Sequence, residues 1–413
     1  MTTDASPRTH PISSPPRRRR RAFGTAITAG ITAGIAAALV ATGCSASPDG
    51  WGEESLSGPP STAIPRPKES ASGPVRPTTT SPTATTAVPP TTATTLAPVP
   101  AGSGGGVATT FKQSSTRANI GGCDLYPTDH FLNATNVDTL PVVAQSDTWI
   151  AGLGDGSAPL NFPSGKIWDG ARGGMPINVV DSRVTGFSNV VFNPWGNSKT
   201  YKGPYPLPSK PKIQGHPSAQ WDRHVLVVDV AECMGYELMQ YDPTVRALTG
   251  SHNAHSGIRY SLSTTDRPTF TTNAPNTPML GQYVMYDEVQ AGRIDHPIGF
   301  CSNVVGTGHV WPAQASDGPI DSPDAMPMGS WLRLRADADL SELGPQAMVV
   351  ADALREHGAV LTDSCPHTFN LLGENSALWT DSDLETISTL SPADFEVVDS
   401  SLMQVDSTSY RIR

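Results

Sequence analysis

Short apolar or alternating runs, separated by turns rich in Gly and Pro, occupy most of the chain after position 170. Runs of this length that contain many β-branched and aromatic residues are typical of β-strands. They predict strands at 177–180, 188–192, 224–229, 236–241, 282–286, 298–301, 309–311, 331–335 and 359–362. The short segment between the third and fourth of these runs, 230–235, predicts a hairpin.

Helical periodicity is confined to the end of the chain. It predicts a helix over 343–357, which Gly358 ends, and a short helix over 383–389. The predicted fold class is therefore mainly β with late helices (α+β), arranged as a β-sandwich or jelly roll. A parallel α/β fold is disfavoured because it would need helices throughout the chain.

The beginning of the chain has the organisation of a lipoprotein export signal. Five consecutive arginines, 17–21, precede an apolar run of small residues, 22–40, which a small-residue cleavage motif and Cys44 follow. We expect a signal peptide over 1–43, after whose removal Cys44 carries a lipid that ties the protein to the outer face of the cell membrane. The alternative is an uncleaved membrane span, which the many Gly and Thr residues disfavour. The twin-arginine and the general export routes both stay open.

Composition divides the rest of the chain in two. Residues 44–110 are almost entirely Pro, Thr, Ser, Ala and Gly, and they lack the apolar side chains that would offset the cost of ordering. They predict a disordered stalk that reaches at most on the order of 100–200 Å, because an extended Pro-rich chain rises about 3 Å per residue. Residues 111–413 have the composition of one globular domain.

Charge and motifs exclude several kinds of partner. The formal net charge is −10, and the segment 1–43 holds six arginines against one aspartate, so the remainder is more acidic still. The sequence shows no basic patch, so we expect the domain itself to bind neither nucleic acid nor an anionic membrane. The chain has no P-loop, no dinucleotide-binding glycine motif, no Gly-x-Ser-x-Gly elbow and no His-Glu-x-x-His motif. We therefore expect no nucleotide partner and no cofactor.

Cysteine usage agrees with export. If Cys44 takes the lipid, Cys123, Cys233, Cys301 and Cys365 remain, an even number that predicts two disulfides in an oxidising compartment. Four cysteines allow three pairings, of which we expect Cys123–Cys233 and Cys301–Cys365. A zinc site built from the four thiolates is the alternative, which the absence of CxxC pairs disfavours.

An ordered set of segments resembles a widespread group of exported bacterial and fungal proteins, mostly uncharacterised, and the N-terminus resembles actinobacterial lipoproteins. The segments are Asp222-Arg223-His224-Val225-Leu226-Val227-Val228-Asp229, Tyr236-Glu237-Leu238, Tyr286-Asp287-Glu288-Val289, Val310-Trp311-Pro312-Ala313, Pro327-Met328-Gly329 and Gly358-Ala359-Val360-Leu361-Thr362-Asp363. The resemblance covers roughly 140–399. It implies an extracellular polysaccharide context, because members of that group often carry carbohydrate- or adhesion-type appendages. It names no reaction, and residues 297–301 depart from the pattern of the group.

Titratable residues at turn–strand junctions are the first catalytic candidates. Asp222 and His224 stand just before a strand, and a His beside a carboxylate is typical of proton transfer near neutral pH. The alternative is a turn cap and a packed His. Glu237 shares a strand face with Met239 and Tyr241, and apolar neighbours would raise its pKa as a general acid requires. It could equally point outward from an edge strand.

Three further candidates follow along the chain. Glu288 would face a site or cap a helical turn. His296 and His309 flank a predicted hairpin, so they could meet in space and, with Asp222 or Glu237, form a metal site or an acid–base cluster. No complete ligand set can be assigned, so no metal is predicted.

Tryptophans are the candidate binding residues. Trp195, Trp221 and Trp311 lie beside turn residues, and an exposed aromatic ring can stack on the apolar face of a sugar. The alternative is that they pack in the core; Trp195 and Trp221 are the best candidates for exposure.

Two functions from different classes follow. The first is a membrane-anchored, glycoside hydrolase-like enzyme that acts on cell-wall or environmental polysaccharide by carboxylate acid–base chemistry. The second is a non-catalytic surface lipoprotein that binds a glycan or a protein. An acidic cleft with paired carboxylates would favour the enzyme, and a flat aromatic face with dispersed carboxylates would favour the binding protein.

Overall fold

Short strands and few helices make up the structure, a computed structural model that describes residues 117–135 and 137–413. These residues belong to one compact unit. The predicted signal peptide, Cys44, the whole of the predicted stalk and the predicted boundary between stalk and domain lie outside the described residues. Within the described part of the chain, no helix combines the length and apolar character needed to cross a bilayer.

The strands are β1 (Asn119–Ile120), β2 (Cys123–Asp124), β3 (Ile167–Trp168), β4 (Ala171–Arg172), β5 (Ile177–Val180), β6 (Val190–Phe192), β7 (Val225–Asp229), β8 (Met234–Met239), β9 (His252–Ala254), β10 (Ser256–Ser261), β11 (Ile298–Ser302), β12 (Val305–His309), β13 (Met326–Met328), β14 (Trp331–Leu334), β15 (Ala359–Ser364), β16 (Asn370–Leu371) and β17 (Phe395–Val398). The α-helices are α1 (Ser146–Gly152), α2 (Ser182–Thr185), α3 (Pro243–Thr249), α4 (Tyr286–Ala291), α5 (Pro345–Glu356) and α6 (Asp381–Leu384).

Two mixed sheets form the framework. Sheet 1 has the order β10-β8-β7-β5, and sheet 2 has the order β16-β11-β15-β14-β17. Each contains one parallel pair, β5–β7 in sheet 1 and β11–β15 in sheet 2, and its other pairs are antiparallel. The predicted class, mainly β with a few helices, is confirmed. The jelly-roll arrangement stays a prediction.

The apolar runs explain why β7 is central. All five of its residues are buried. Leu226 and Val228 pack in a core that also takes Trp331 and Val360 from sheet 2, while Val225 packs with β8 residues on the opposite face. A third core covers the other face of sheet 2, where α5 packs. A strand buried on both faces needs a continuous apolar run rather than alternation, which β7 has.

Most predicted strands are confirmed, with ends shifted by a few residues, and β7 and β8 form the predicted hairpin. Three predictions are wrong. The segment 282–286 is not a strand, because Tyr286 begins α4. The strand predicted at 309–311 ends at His309, as β12. Helices are not confined to the end, since α1 to α4 precede β11.

The expected disulfides are present. Cys123 bonds to Cys233 and Cys301 to Cys365, with sequence separations of 110 and 64 residues. The first ties the β1–β2 hairpin to the β7–β8 turn, and the second ties β11 to the end of β15. Both therefore join segments that are distant in the sequence.

Removing either disulfide by a paired Cys→Ala substitution is expected to lower the free energy of unfolding by about 2–4 kcal/mol, because each closes a long loop in the unfolded chain. The two losses should differ by less than about 1 kcal/mol, since loop-closure entropy grows only with the logarithm of loop length. Urea unfolding of the two paired variants measures both losses. A pair whose removal leaves the unfolding midpoint unchanged would contradict this expectation.

Candidate functional site

The loop before β7 is fixed by its own side chains and by the end of β8. The Arg223 guanidinium donates to the backbone oxygens of Ala219 at 2.9 Å and Tyr241 at 3.2 Å. The amide of Gln240 donates to the Asp222 carbonyl at 2.7 Å. Gly215 has a φ of +72°, and a Cβ there would come within 3.1 Å of the Trp221 ring. The loop therefore holds Trp221 and Asp222 in a defined position.

Trp221 forms one wall of a groove, which we name the Trp221 groove. Its volume is about 660 Å³. It is lined by His216, Pro217, Gln220, Trp221, Arg223, Gln240, Tyr241, Asp242, Pro243, Thr244 and Ala247. The indole of Trp221 is half-buried, and its Nε1 donates to Asp169 Oδ2 at 3.4 Å, which fixes the plane of the ring.

Two of the lining residues have unusual backbone conformations. Arg223 has a φ of 53° and Gln240 a φ of 50°. Non-glycine residues rarely adopt this region, and such strain concentrates at functional sites. The groove thus joins one aromatic wall to amide, guanidinium and carboxylate groups on a constrained backbone.

Asp222 and His224 flank the lining residue Arg223 in the chain, just before β7, and neither of them lines the groove. The Asp222 side chain is 60% exposed, and its Oδ2 is 4.0 Å from His224 Nε2. The His224 side chain is buried beneath it, and its Nδ1 has no hydrogen-bond partner. Burial lowers the pKa of His224 to about 4 against the opposing charge of Asp222. Burial therefore favours the neutral form of the His224 imidazole, and its role in proton transfer stays a prediction.

Asp363, near the end of β15, is the carboxyl group that sequence reasoning missed. It is half-buried, and the Ser364 amide donates to its Oδ1 at 3.0 Å. Burial, together with the negative charges of Asp222 and Asp317, raises the pKa of Asp363 to about 8. Asp317 is itself held near by the Ser364 hydroxyl, which donates to its Oδ2 at 2.7 Å.

The loop that carries Asp169 contacts both the Trp221 groove and the segment that follows β15. Asp169 accepts from Trp221, as described, and its neighbour Trp168 packs against His367, with ring centroids 6.4 Å apart. His367 follows Asp363 closely in the chain. The Trp221 groove and the end of β15 are therefore bridged by a single loop.

Tyr283 is another buried residue whose ionisation is affected by these carboxyl groups. Burial raises its pKa well above the usual value, and the charges of Asp363, Glu237 and Asp222 raise it further.

Glu237 does not reach the groove. It is fully buried and accepts from Tyr260 Oη at 2.7 Å, Thr272 Oγ1 at 2.7 Å, Thr272 N at 3.1 Å and Met279 N at 2.8 Å. Burial raises its pKa, and these donors act against that rise. The predicted general acid therefore organises the core between the sheets, because all four donors are internal.

Glu288 and His296 form a buried ion pair away from the groove, rather than joining Asp222. The distance from His296 Nε2 to Glu288 Oε2 is 3.2 Å, and both side chains are at most 2% exposed. The Glu288 carboxylate also accepts from the Met285 amide at 3.3 Å, so it caps α4. Burial lowers the pKa of His296, but the charge of Glu288 outweighs this and the net pKa is raised.

The remaining candidates are scattered. His309 is exposed on β12, which pairs with β13, so the predicted hairpin between His296 and His309 does not form. Trp311 is only 9% exposed and stacks on Trp331 in the core. Trp195 is 88% exposed on a turn that Asn193 stabilises. Of the three tryptophans, only Trp221 lines the groove.

Within the described part of the chain, no group of three or more His, Cys, Asp or Glu side chains is placed to hold a metal ion.

Glu374 is a further acidic group with a raised pKa, about 7, and it lines a small cavity with Lys212 and Met285. Burial is the main cause of that rise. The cavity, about 40 Å³, has room only for water. It therefore offers no site for a larger ligand.

Comparison with known proteins gives no relative: no family model, no curated protein and no solved structure matches this chain.

Proposed function

We propose that this protein is an extracytoplasmic lipoprotein, tied to the membrane through Cys44, that binds polysaccharide in the Trp221 groove. The observation that carries the proposal is the Trp221 indole in the wall of the groove, which a hydrogen bond to Asp169 holds in place and which polar side chains accompany. An aromatic ring offers an apolar platform for a sugar ring. Amide side chains offer both donors and acceptors for hydroxyl groups.

The shape of the site favours a glycan over a protein partner. The groove volume, about 660 Å³, lies in the range of small-molecule sites, which are concave and carry a few placed polar groups. A protein partner would instead be expected to cover a broader surface with a central apolar cluster. The predicted catalytic residues Glu237 and Glu288 are buried and do not line the groove, whereas Trp221 does, which also supports recognition through Trp221.

Replacing Trp221 by alanine is expected to weaken glycan binding by about thirtyfold, or about 2 kcal/mol, because it removes the stacking wall. The full chain would be tested by sedimentation with insoluble peptidoglycan, cellulose and chitin, and by affinity electrophoresis in xylan, mannan and β-glucan. Trp195→Ala is the matched control, since it removes an exposed tryptophan outside the groove and should leave binding unchanged.

Two results would overturn the proposal. One is that none of these polysaccharides retains the wild-type chain. The other is a Trp221→Ala chain that has the melting temperature of the wild type and binds as tightly. Trp221→Phe, which keeps an aromatic ring, should retain most of the binding.

A further inference from the structure

The segment that contains β6 exposes large apolar side chains to solvent. Phe187 is 52% exposed, Val191 56% and Trp195 88%. Exposure alternates over 187–192, so Phe187 and Val191 point outward on one side while Val190 packs in the core. Single exposed apolar residues are ordinary on a protein surface, whereas a group of them on one segment marks a contact surface. We name these three exposed residues the β6 surface.

The turn after β6 holds Trp195 in place. The Trp195 amide donates to Asn193 Oδ1 at 2.9 Å, and the Asn193 amide donates to the Ala254 carbonyl at 3.0 Å, at the end of β9. Gly196 lies so close to the next residue, His255, that a Cβ on Gly196 would overlap its carbonyl oxygen. The backbone of the turn is therefore packed against the end of β9, and it presents the indole to solvent.

Basic side chains lie around this surface without carboxylate partners. Lys199 donates only to a backbone carbonyl, at 3.2 Å. Lys202 Nζ lies 5.4 Å from the ring centroid of Phe192 on β6, and Arg259 lies 4.4 Å from that of Tyr201 in the same row of rings. None of these three cations forms an ion pair with a carboxylate among the described residues. Uncompensated cations on a chain of net charge −10 favour an anionic partner.

The local charge here differs from that of the chain as a whole. Residues 182–202 contain two lysines and one arginine and no acidic residue. The arginine, Arg183, is paired with Asp181 at 2.7 Å, which leaves the two lysines. Arg259 comes from β10, far along the chain, so no basic run in the sequence marks this patch. The expectation that the domain binds no anionic membrane was based on such runs.

We propose that the β6 surface docks on the anionic outer leaflet of the membrane to which the chain is tethered. This inference goes beyond glycan binding and rests on the tether of the proposed function. Trp and Phe side chains prefer the boundary between lipid headgroups and hydrocarbon, and Lys and Arg side chains bind anionic headgroups. Both kinds of side chain meet on this surface.

A membrane fits this surface better than a protein partner does. A stable protein interface buries about 800 Å² on each side around an apolar centre, which three side chains do not supply. A lipid surface needs no shape complementarity. The predicted tether also keeps the bilayer within reach, since a flexible linker gives an effective concentration on the order of 1 mM. A few interfacial side chains are therefore sufficient.

Quenching by a spin-labelled lipid tests the docking in the full chain. The chain is reconstituted into vesicles of phosphatidylcholine and phosphatidylglycerol that carry the label near the headgroups. We expect the label to quench part of the tryptophan fluorescence, and Trp195→Phe to lose a large share of that quenched part. The comparison separates Trp195 from Trp51, which lies close to Cys44 in the chain. The Trp195 contribution should vanish in phosphatidylcholine alone and in about 1 M salt, which screens the charges.

Lys202→Gln is expected to lower the ratio of docked to undocked chain by about fivefold, because a basic residue at an anionic membrane contributes about 1 kcal/mol. The Trp195 contribution to quenching measures that ratio. Lys166→Gln is the matched control, since Lys166 pairs with Glu385 at 3.3 Å and its charge is already compensated. A Lys202→Gln chain that docks like the wild type would overturn the anionic membrane as the partner.

Polysaccharide binding separates this inference from the proposed function. Trp195→Ala should lose docking and keep polysaccharide binding, and Trp221→Ala should do the reverse. Equal quenching of the wild type and Trp195→Phe would overturn this inference alone. So would a dimer in detergent that Trp195→Ala separates, because a second copy would then cover the surface. Vesicles that retain no wild-type chain would overturn the tether of the proposed function, and this inference with it.

Discussion

Replacing Glu237 by glutamine is expected to lower the free energy of unfolding by about 3–5 kcal/mol, as is typical when a buried charged hydrogen-bond network is broken. Each carboxylate oxygen accepts one backbone amide, from Met279 on Oε1 and from Thr272 on Oε2. A backbone N–H cannot rotate away. Whichever way the glutamine amide is turned, its NH₂ group therefore faces a fixed donor.

This loss is a large part of the stability of an ordinary domain, about 5–15 kcal/mol. Urea unfolding followed by tryptophan fluorescence measures it. Glu232→Gln is the matched control: Glu232 is exposed in the β7–β8 turn, and its replacement should change stability by less than about 0.5 kcal/mol. A Glu237→Gln chain as stable as that control would show that the four hydrogen bonds contribute nothing net.

Replacing Glu288 by glutamine is expected to cost about 3–5 kcal/mol at low pH, because it leaves the buried His296 without its counter-charge. The loss should depend on pH. The folded pKa of His296 is raised, so the contribution of the pair is fully present below the unfolded value, about 6.5, and is lost as pH rises through the folded value. The gap between wild type and variant should therefore narrow in alkaline buffer.

Unfolding measured from pH 5.5 to 9 tests this dependence. The control is Glu385→Gln, whose ion pair with Lys166 is 61% exposed on the glutamate side and should contribute about 0–1 kcal/mol at every pH. A Glu288→Gln loss that stays constant across the range would assign the effect to the α4 cap rather than to the ion pair.

The strands of sheet 1 could be predicted because their signal is local. The continuous apolar run of β7 and the turn before β8 are visible in the sequence, and both have their predicted places. The segment 282–286 shows the limit of that reasoning. Its apolar residues suit a strand, but Tyr286 begins α4, where Glu288 caps the helix and His296 compensates its charge. That compensation arises only in the folded chain.

The candidate site could be predicted only in part, for the same reason. Asp222 stands in a turn before a strong strand, which is sufficient to predict a side chain at the end of that strand. Nothing local marks Asp363, because its raised pKa comes from burial and from carboxylates on distant segments. Glu237 shows the converse: the pattern left open whether it faced apolar residues or solvent, because its donors come from a segment, 260–279, that no periodicity connects to it.

The disulfide between Cys301 and Cys365 encloses the end of the strand that carries Asp363. Asp363 pairs directly with Cys301 in the parallel ladder, and Cys365 lies two positions beyond it. The end of β15 is therefore tied to β11 by a covalent bond that forms only under oxidising conditions. In a newly made chain with reduced thiols, backbone pairing alone would hold this end of sheet 2, so its local stability would rise only once the chain reaches an oxidising compartment.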